Sequence, residues 1–277
     1  MFAQLLTLLS RTPLHAGCGL RVDVVDLPFN RERVTQFPVI PSANLRMPLQ
    51  AAARQSSGQH AAAQLFGGEP GEATPGCVQI LEAKILAFPV RALKGCFAWL
   101  TCPAILHRFA RDTRKLAPSD IPSVAPDRAL VAGKSDLLRD DRIYLEEFRL
   151  QASLEPAAAH RAIATALRSL SDDSLWQSKL TFRLAIVSDE DFQHFVTTCT
   201  EVVAAAEAGP GAGLSQEFLP SETLFYSVLT VLPKEGADEA QLRDGLTALL
   251  NASPLLPAGD GMAAANGLCA LKHEVLS

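Results

Sequence analysis

Residues 179–207, "KLTFRLAIVSDEDFQHFVTTCTEVVAAAE", decide the fold class. In the first nine, Leu180, Phe182, Leu184 and Ile186 alternate with other side chains, the period of a strand. Ser188 follows with Asp191 three residues on, the spacing of a helix cap, so Ser188 to Glu207 reads as a helix. Downstream the order repeats: "AGPGAGLSQEF" is a turn, "ETLFYSVLTVL" a strand, "ADEAQLRDGLTALLN" a helix and "NGLCALKHEV" a closing strand. Upstream, "FAQLLTLLS" is a strand and "SANLRMPLQAAARQ" a helix with Pro48 near its first turn. "SSGQHAAAQLFGGEPGEATPG" reads as a mobile loop, "CVQILEAKILAFPV" as a strand or hairpin arm and "LKGCFAWLTCPAILHRFARD" as largely helical. "LAPSDIPSVAPDRALVAGKSD" reads as a proline-rich excursion, "RIYLEEFRLQA" as one strand and "EPAAAHRAIATALRSL" as a helix with Pro156 in its first turn. Strand, helix and strand units with long insertions make an α+β domain on a ferredoxin-like (RRM-like) sheet. Such a sheet is also the platform of RNA-recognition domains.

Composition bounds what this fold can do. A chain of 277 residues, 48% of them hydrophobic, can bury a large core as one domain, 1–277, with insertions. No uninterrupted apolar run approaches the roughly 18 residues of a spanning helix, so no membrane partner is expected. "MFAQLLTLLSRTPLHAG" lacks a basic segment ahead of its apolar part and reads as the first strand, with a signal peptide as the alternative. Six cysteines without a CxxC pair fit reduced thiols and a cytoplasmic location. The net charge of −5 argues against a polyanionic partner, yet residues 84–115 hold seven basic side chains against Asp112 alone. Such a stripe either tracks a phosphate backbone or is a helix face balanced by acids elsewhere.

Several catalytic patterns are absent. "AGKSD" lacks the earlier glycine of a phosphate loop, with Arg128 in its place. Neither GxSxG nor HExxH occurs, and His107, His160 and His194 read as helix-face residues.

What remains is the stretch "GCGLRVDVVDLPFNRERVTQFPVIPSANLR", residues 17–46, arginine-rich and pinned by three prolines. An excursion that long is functional or disordered. Together with "LLTLLSRTPLHAGCG", "AKILAFPVRALKGCFAWLTCP", "RIYLEEF", "VSDEDF", "TEVV" and "LPSETLFYSVL", it resembles the RAMP proteins. Specifically, the chain resembles the multicopy backbone subunit of type III-B (Cmr) CRISPR effector complexes, from about residue 2 to 232 and less closely to the end.

The resemblance implies a right-hand-shaped RAMP architecture, with an RRM-like palm and copies stacked as a helical filament along a guide CRISPR RNA beside other effector subunits. It implies a cleavage loop at about 17–41, a flexible insertion at about 56–76, a proline-rich insertion at about 117–140 and a shortened thumb-side hairpin at about 204–219. Asp26 matches the acid that cuts a paired single-stranded target RNA, and His15 the histidine that assists. Asp23, three residues away, is separated from it only by the motif. RNA carries its own nucleophile, the 2′-hydroxyl, so a carboxylate need only act as general base or hold a divalent metal such as Mg²⁺ or Mn²⁺. Arg46, Arg91 and Lys94, near predicted helix starts, are the expected guide contacts, and Arg31 and Arg33 could touch either strand. The rival for Arg91 is a salt bridge, and for His15 a turn-capping role.

The departures are as specific as the matches. "PSANLRMPLQ" has lost the glycines of the family's phosphate turn. Gln216 and Phe218 replace an acid and a tyrosine, leaving Glu217 the one acid there, while "PAGDGMAAANG" keeps Gly259, Asp260 and Gly267. The expected activity is a guide-directed, metal-dependent endoribonuclease. The alternatives are a catalytically weak or inactive RNA-coating structural subunit and an RNA-free RAMP-like protein scaffold.

Overall fold

The computed structural model describes residues 2–21, 24–68, 75–204, 213–234, 237–260 and 266–276. In chain order the strands are β1 (Phe2–Ser10), β2 (Val39–Ile40), β3 (Val78–Ile80), β4 (Ala83–Ala92), β5 (Cys96–Thr101), β6 (Arg128–Val131) and β7 (Arg142–Leu145). They continue as β8 (Phe148–Ser153), β9 (Leu184–Val187), β10 (Glu201–Ala204), β11 (Ser215–Phe218), β12 (Leu224–Val231), β13 (Leu255–Pro257) and β14 (Leu268–Leu276). The helices are α1 (Ser42–Phe66), α2 (Pro103–Thr113), α3 (Ala157–Arg168), α4 (Ser174–Arg183), α5 (Asp189–Thr198) and α6 (Glu239–Ala252).

β1 is the centre of the sheet. Its run "LLTLLS" is apolar on both faces, the pattern of a strand covered on both sides, and Leu5, Leu6, Leu8 and Leu9 are fully buried. It pairs antiparallel with β12 on one side and β14 on the other, in the order β13-β14-β1-β12-β4. On one face Gln4 Nε2 donates to Thr247 Oγ1 of α6 at 2.9 Å, and on the other Thr7 Oγ1 donates to the Leu170 carbonyl at 2.6 Å. Both faces of β1 are therefore covered by protein.

β4 belongs to two layers. Ala87, Ile85 and Lys84 pair with β12, while Phe88 to Ala92 pair with β5. From β5 the sheet runs through β9, β6, β8 and β7 and returns to β4 at Ala92 and Leu145, where Leu93 N to Tyr144 O and Glu146 N to Arg91 O both span 3.0 Å. This ring of six strands is a closed barrel and leaves no open edge among its members. The whole is a mixed α+β fold.

The structure corrects several readings of the sequence. Residues 174–183 are α4, and only Leu184–Val187 form the strand. Asp173 caps α4 through the Trp176 N–H, and Trp176 and Leu180, one turn apart, bury its inner face. α5 ends at Thr198, where the Thr197 and Thr198 hydroxyls turn back onto helix carbonyls, a habit that weakens helices. The β-branched Val202 and Val203 then enter β10. "CFAWLT" is β5, and α2 begins only at Pro103, where proline costs no hydrogen bond. The proline-rich excursion of 117–140 contains barrel strand β6, and "RIYLEEFRLQA" is a hairpin, β7 and β8, turned by Glu146 at φ 47°. The flexible insertion of 56–76 is helical through Phe66, because Ala62, Leu65 and Phe66 find the core. Gly58, at φ 85°, only kinks α1 there, and Pro48 lies inside the helix. Part of that insertion and part of the thumb-side hairpin, with Asp23, lie outside the described residues.

Candidate active site

The expected cleavage loop is ordered by one strand drawn from the other end of the chain. β11 pairs with β10 as a hairpin and offers its other edge to the loop. Leu27 N donates to Ser215 O at 2.9 Å and Glu217 N to Leu27 O at 3.0 Å, so Leu27 forms a parallel bridge to Gln216 on the edge of β11. Asp26 is fixed within this register. Its Oδ2 accepts from the Ser215 N–H and hydroxyl, both at 2.8 Å, and its own N–H donates to Ser215 Oγ at 3.0 Å. The Ser215 N–H first, then its hydroxyl, holds the Asp26 carboxyl below the usual carboxylate value.

Glu217 secures the downstream side. It is buried and accepts from Phe29 N at 2.8 Å and from Arg31 Nη2 at 2.6 Å. Its carbonyl receives the N–H of His15 Nδ1 at 2.6 Å. That bond assigns the ring proton to Nδ1 and seats His15, 4% exposed, between Phe29 and Phe218. Gly17 is obligatory beside it, since a Cβ there would lie 2.5 Å from His15 Nε2. Behind this layer Asp260 accepts from Gly17 N at 2.6 Å and Asn44 Nδ2 at 2.7 Å, and its own N–H donates to the His15 carbonyl at 2.8 Å.

The far end of the loop is stapled to two helices. Arg108 of α2 reaches both oxygens of Glu32, Gln193 of α5 donates to Thr35 O at 3.1 Å, and Phe37 meets Phe192 edge to face at 5.4 Å. Between loop, α5 and β10 lies a cleft of about 740 Å³, lined among others by Arg21, Arg31, Arg33, Thr197, Thr200 and Val202. Arg21 and Arg33 are exposed, and neither is ion-paired with a described residue.

No family model matches the chain. Against curated proteins it is 32% identical over 246 residues, covering 84% of the chain and 83% of the relative, to the CRISPR system Cmr endoribonuclease Cmr4 of Pyrococcus furiosus. The chain belongs to the Cmr4 family. Across its full length and that of the other chain, the crystal structure of oligomeric Cmr4 from Pyrococcus furiosus superposes with a TM-score of 0.81 at 27% identity. A chain of a type III-B Cmr-beta complex bound to cognate target RNA shares the fold at a TM-score of 0.71 and 15% identity, with 99% of this chain and 97% of that one covered.

In this Cmr4-family chain the structure gathers His15, Asp26 and Arg31 around β11 and gives the other expected contacts different neighbours. The Arg46 guanidinium donates to the Phe66 carbonyl and ties the start of α1 to its end. Arg91 and Lys94 stand on β4 and its turn, not at helix starts. Arg91 pairs with Glu146 at 2.8 Å while 77% exposed, and Lys94 donates to Leu138 O at 2.7 Å. The basic stripe is largely a balanced face, because Lys84 and Arg111 meet Asp112, Arg108 meets Glu32, and Lys115 meets Glu274. Ser215 and Asp260 escaped notice as site residues. Asp260 carried a signal, the retained "GD" before the closing strand, whereas nothing local to Ser215 announces its contact with Asp26.

Among the described residues no three His, Cys, Asp or Glu side chains converge to hold an ion. The donor set still suits a shared one, because both Ser215 bonds fall on Oδ2 of Asp26 and leave Oδ1 outside that pair. Magnesium accepts such sites, keeping several waters and completing its shell with one carboxylate and substrate phosphates.

Proposed function

We propose that this chain is the backbone subunit of a type III-B-like CRISPR ribonucleoprotein. It binds guide RNA without sequence preference, stacks with its own copies and companion subunits, and cuts the paired target RNA at Asp26. Sequence selection rests on base pairing between guide and target. The observation that carries the reading is an acid clamped at a loop edge by three hydrogen bonds, next to an arginine-lined cleft, in a chain of the Cmr4 family. The β14-β1-β12-β4 order, with α1 and α6 in the connections, supports an RRM-like palm, and the antiparallel β10–β11 pair supports reading that segment as the thumb-side hairpin.

The chemistry is transesterification within the RNA. The 2′-oxygen forms a bond to the adjacent phosphorus, its proton leaves to a base, and the bond to the 5′-oxygen breaks as that oxygen takes a proton. Products are a 2′,3′-cyclic phosphate and a 5′-hydroxyl. Asp26 orients the 2′-hydroxyl and accepts its proton, and the Ser215 clamp holds the carboxylate where an in-line backbone presents it. Arg21 and Arg33 offset phosphate charge along the cleft. Asp26 would hold a divalent ion, which would supply further charge neutralisation. His15 acts from beneath, because its buried ring and Nδ1–H bond fix the Glu217 carbonyl and with it the register of β11.

The test is target cleavage by the assembled complex, wild type against Asp26→Ala, with guide occupancy measured in both. Cuts at regular intervals that vanish in the variant while both RNAs stay bound support the reading. Wild-type complexes that bind target and leave it whole identify an RNA-coating subunit instead.

A further inference from the structure

We infer that Ser215 is a positioning residue for Asp26, committing Oδ2 of the carboxylate to β11 and leaving Oδ1 as the oxygen that meets the RNA. The inference deepens the ribonuclease reading and rests on it. The Ser215 hydroxyl accepts from the Asp26 N–H at 3.0 Å and donates to Asp26 Oδ2 at 2.8 Å, closing a ring between backbone and carboxylate, while the Ser215 N–H adds a second donor to the same oxygen. Serine is the smallest side chain able to accept and donate at once. Its backbone is itself immobilised, because Ser215 O accepts from Leu27 N at 2.9 Å and Ser215 pairs with Ala204 across the hairpin.

An oxygen holding two donors is the poorer proton acceptor, so proton transfer falls to Oδ1. The clamp thus holds the carboxylate in one rotamer and presents Oδ1 to the hydroxyl whose proton it accepts.

The experiment records the carboxyl-¹³C resonance of Asp26 at one neutral pH in the full chain labelled with carboxyl-¹³C aspartate, with Asp26→Asn assigning it. Ser215→Ala removes the hydroxyl and keeps the backbone donor, so the resonance moves from its wild-type position. Ser215→Thr returns it. In the assembled complex, Ser215→Ala slows single-turnover cleavage on the order of tenfold, guide occupancy is unchanged, and Ser215→Thr stays near wild type. An Asp26 resonance alike in wild type and Ser215→Ala overturns the inference, as does Ser215→Ala cleavage at the wild-type rate. Cleavage that survives Asp26→Ala overturns the reading of Asp26 as the cutting acid, and the resonance still decides whether Ser215 controls the carboxylate.

Discussion

Glu217 and Arg31 meet at 2.6 Å with only 8% and 13% of their side chains exposed, so an ion pair joins the loop after β1 to a strand 186 positions away. The Phe29 N–H completes the coordination of the carboxylate. Removing one partner strands the other charge inside the protein, a loss of about 3 kcal/mol. Glu217→Ala should lower the melting temperature by several degrees in scanning calorimetry. The double variant Arg31→Met with Glu217→Leu should recover most of that stability. A single variant as stable as wild type would show that the pair contributes nothing.

Arg33 and Arg46 should separate cleanly in RNA binding. Arg33 lines the cleft, and Arg33→Ala should reduce the slope of log affinity against log salt by about one phosphate contact, roughly uniformly across guide sequences. Arg46 is engaged with Phe66 O, so Arg46→Ala should cost about 1 kcal/mol of stability and leave that slope nearly intact. Fluorescence anisotropy over a salt series, paired with thermal melts, reads both.

Backbone crowding behind His15 gives a third expectation. A Cβ on Gly259 would sit 2.7 Å from the His15 carbonyl, which belongs to the backbone and cannot swing aside. Gly259→Ala should therefore destabilise by about 1–3 kcal/mol and disturb the His15 resonances in NMR spectra. Gly213, at φ 78° with open space around its Cβ position, offers a contrast in which any cost comes from conformation alone.

His160 sets an acid limit on stability. Burial is the leading cause holding its imidazole below the ordinary 6.5, partly offset by the contact of Nε2 with Leu184 O at 3.2 Å. The unfolded chain takes up that proton first, so stability is complete above about pH 6.5 and declines as pH falls from there towards the folded value. His160→Gln should flatten urea-denaturation midpoints measured between pH 7 and 5. Identical slopes in both proteins would remove His160 as the cause.

Much of the frame was legible because its signals are local. β1 follows from a leucine-rich run, α3 and α6 from helical periodicity, and the start of α5 from Ser188, whose hydroxyl does accept from Asp191 N at 3.0 Å. α4 misled because Leu180, Phe182, Leu184 and Ile186 satisfy a two-residue period while Trp176 and Leu180 satisfy a helical one, and the cap at Asp173 decides between them. β6 hid as Ala129-Leu130-Val131 behind a proline-rich approach. At the site, Asp26 and His15 were readable from the motif and Ser215 was not. Its role arises only when the hairpin folds back on the loop, and pairings at that separation leave no periodic trace in either segment.

The place of β1 between β12 and β14 also sets how the fold can form. Phe2 pairs with Val231 and Ala3 with Leu276, so β1 finds both its neighbours far downstream. Contacts so distant in sequence close slowly, and Asp26 likewise gains its Ser215 clamp from a strand 189 positions on. The carboxylate is therefore aimed by the completed fold and not by its own loop.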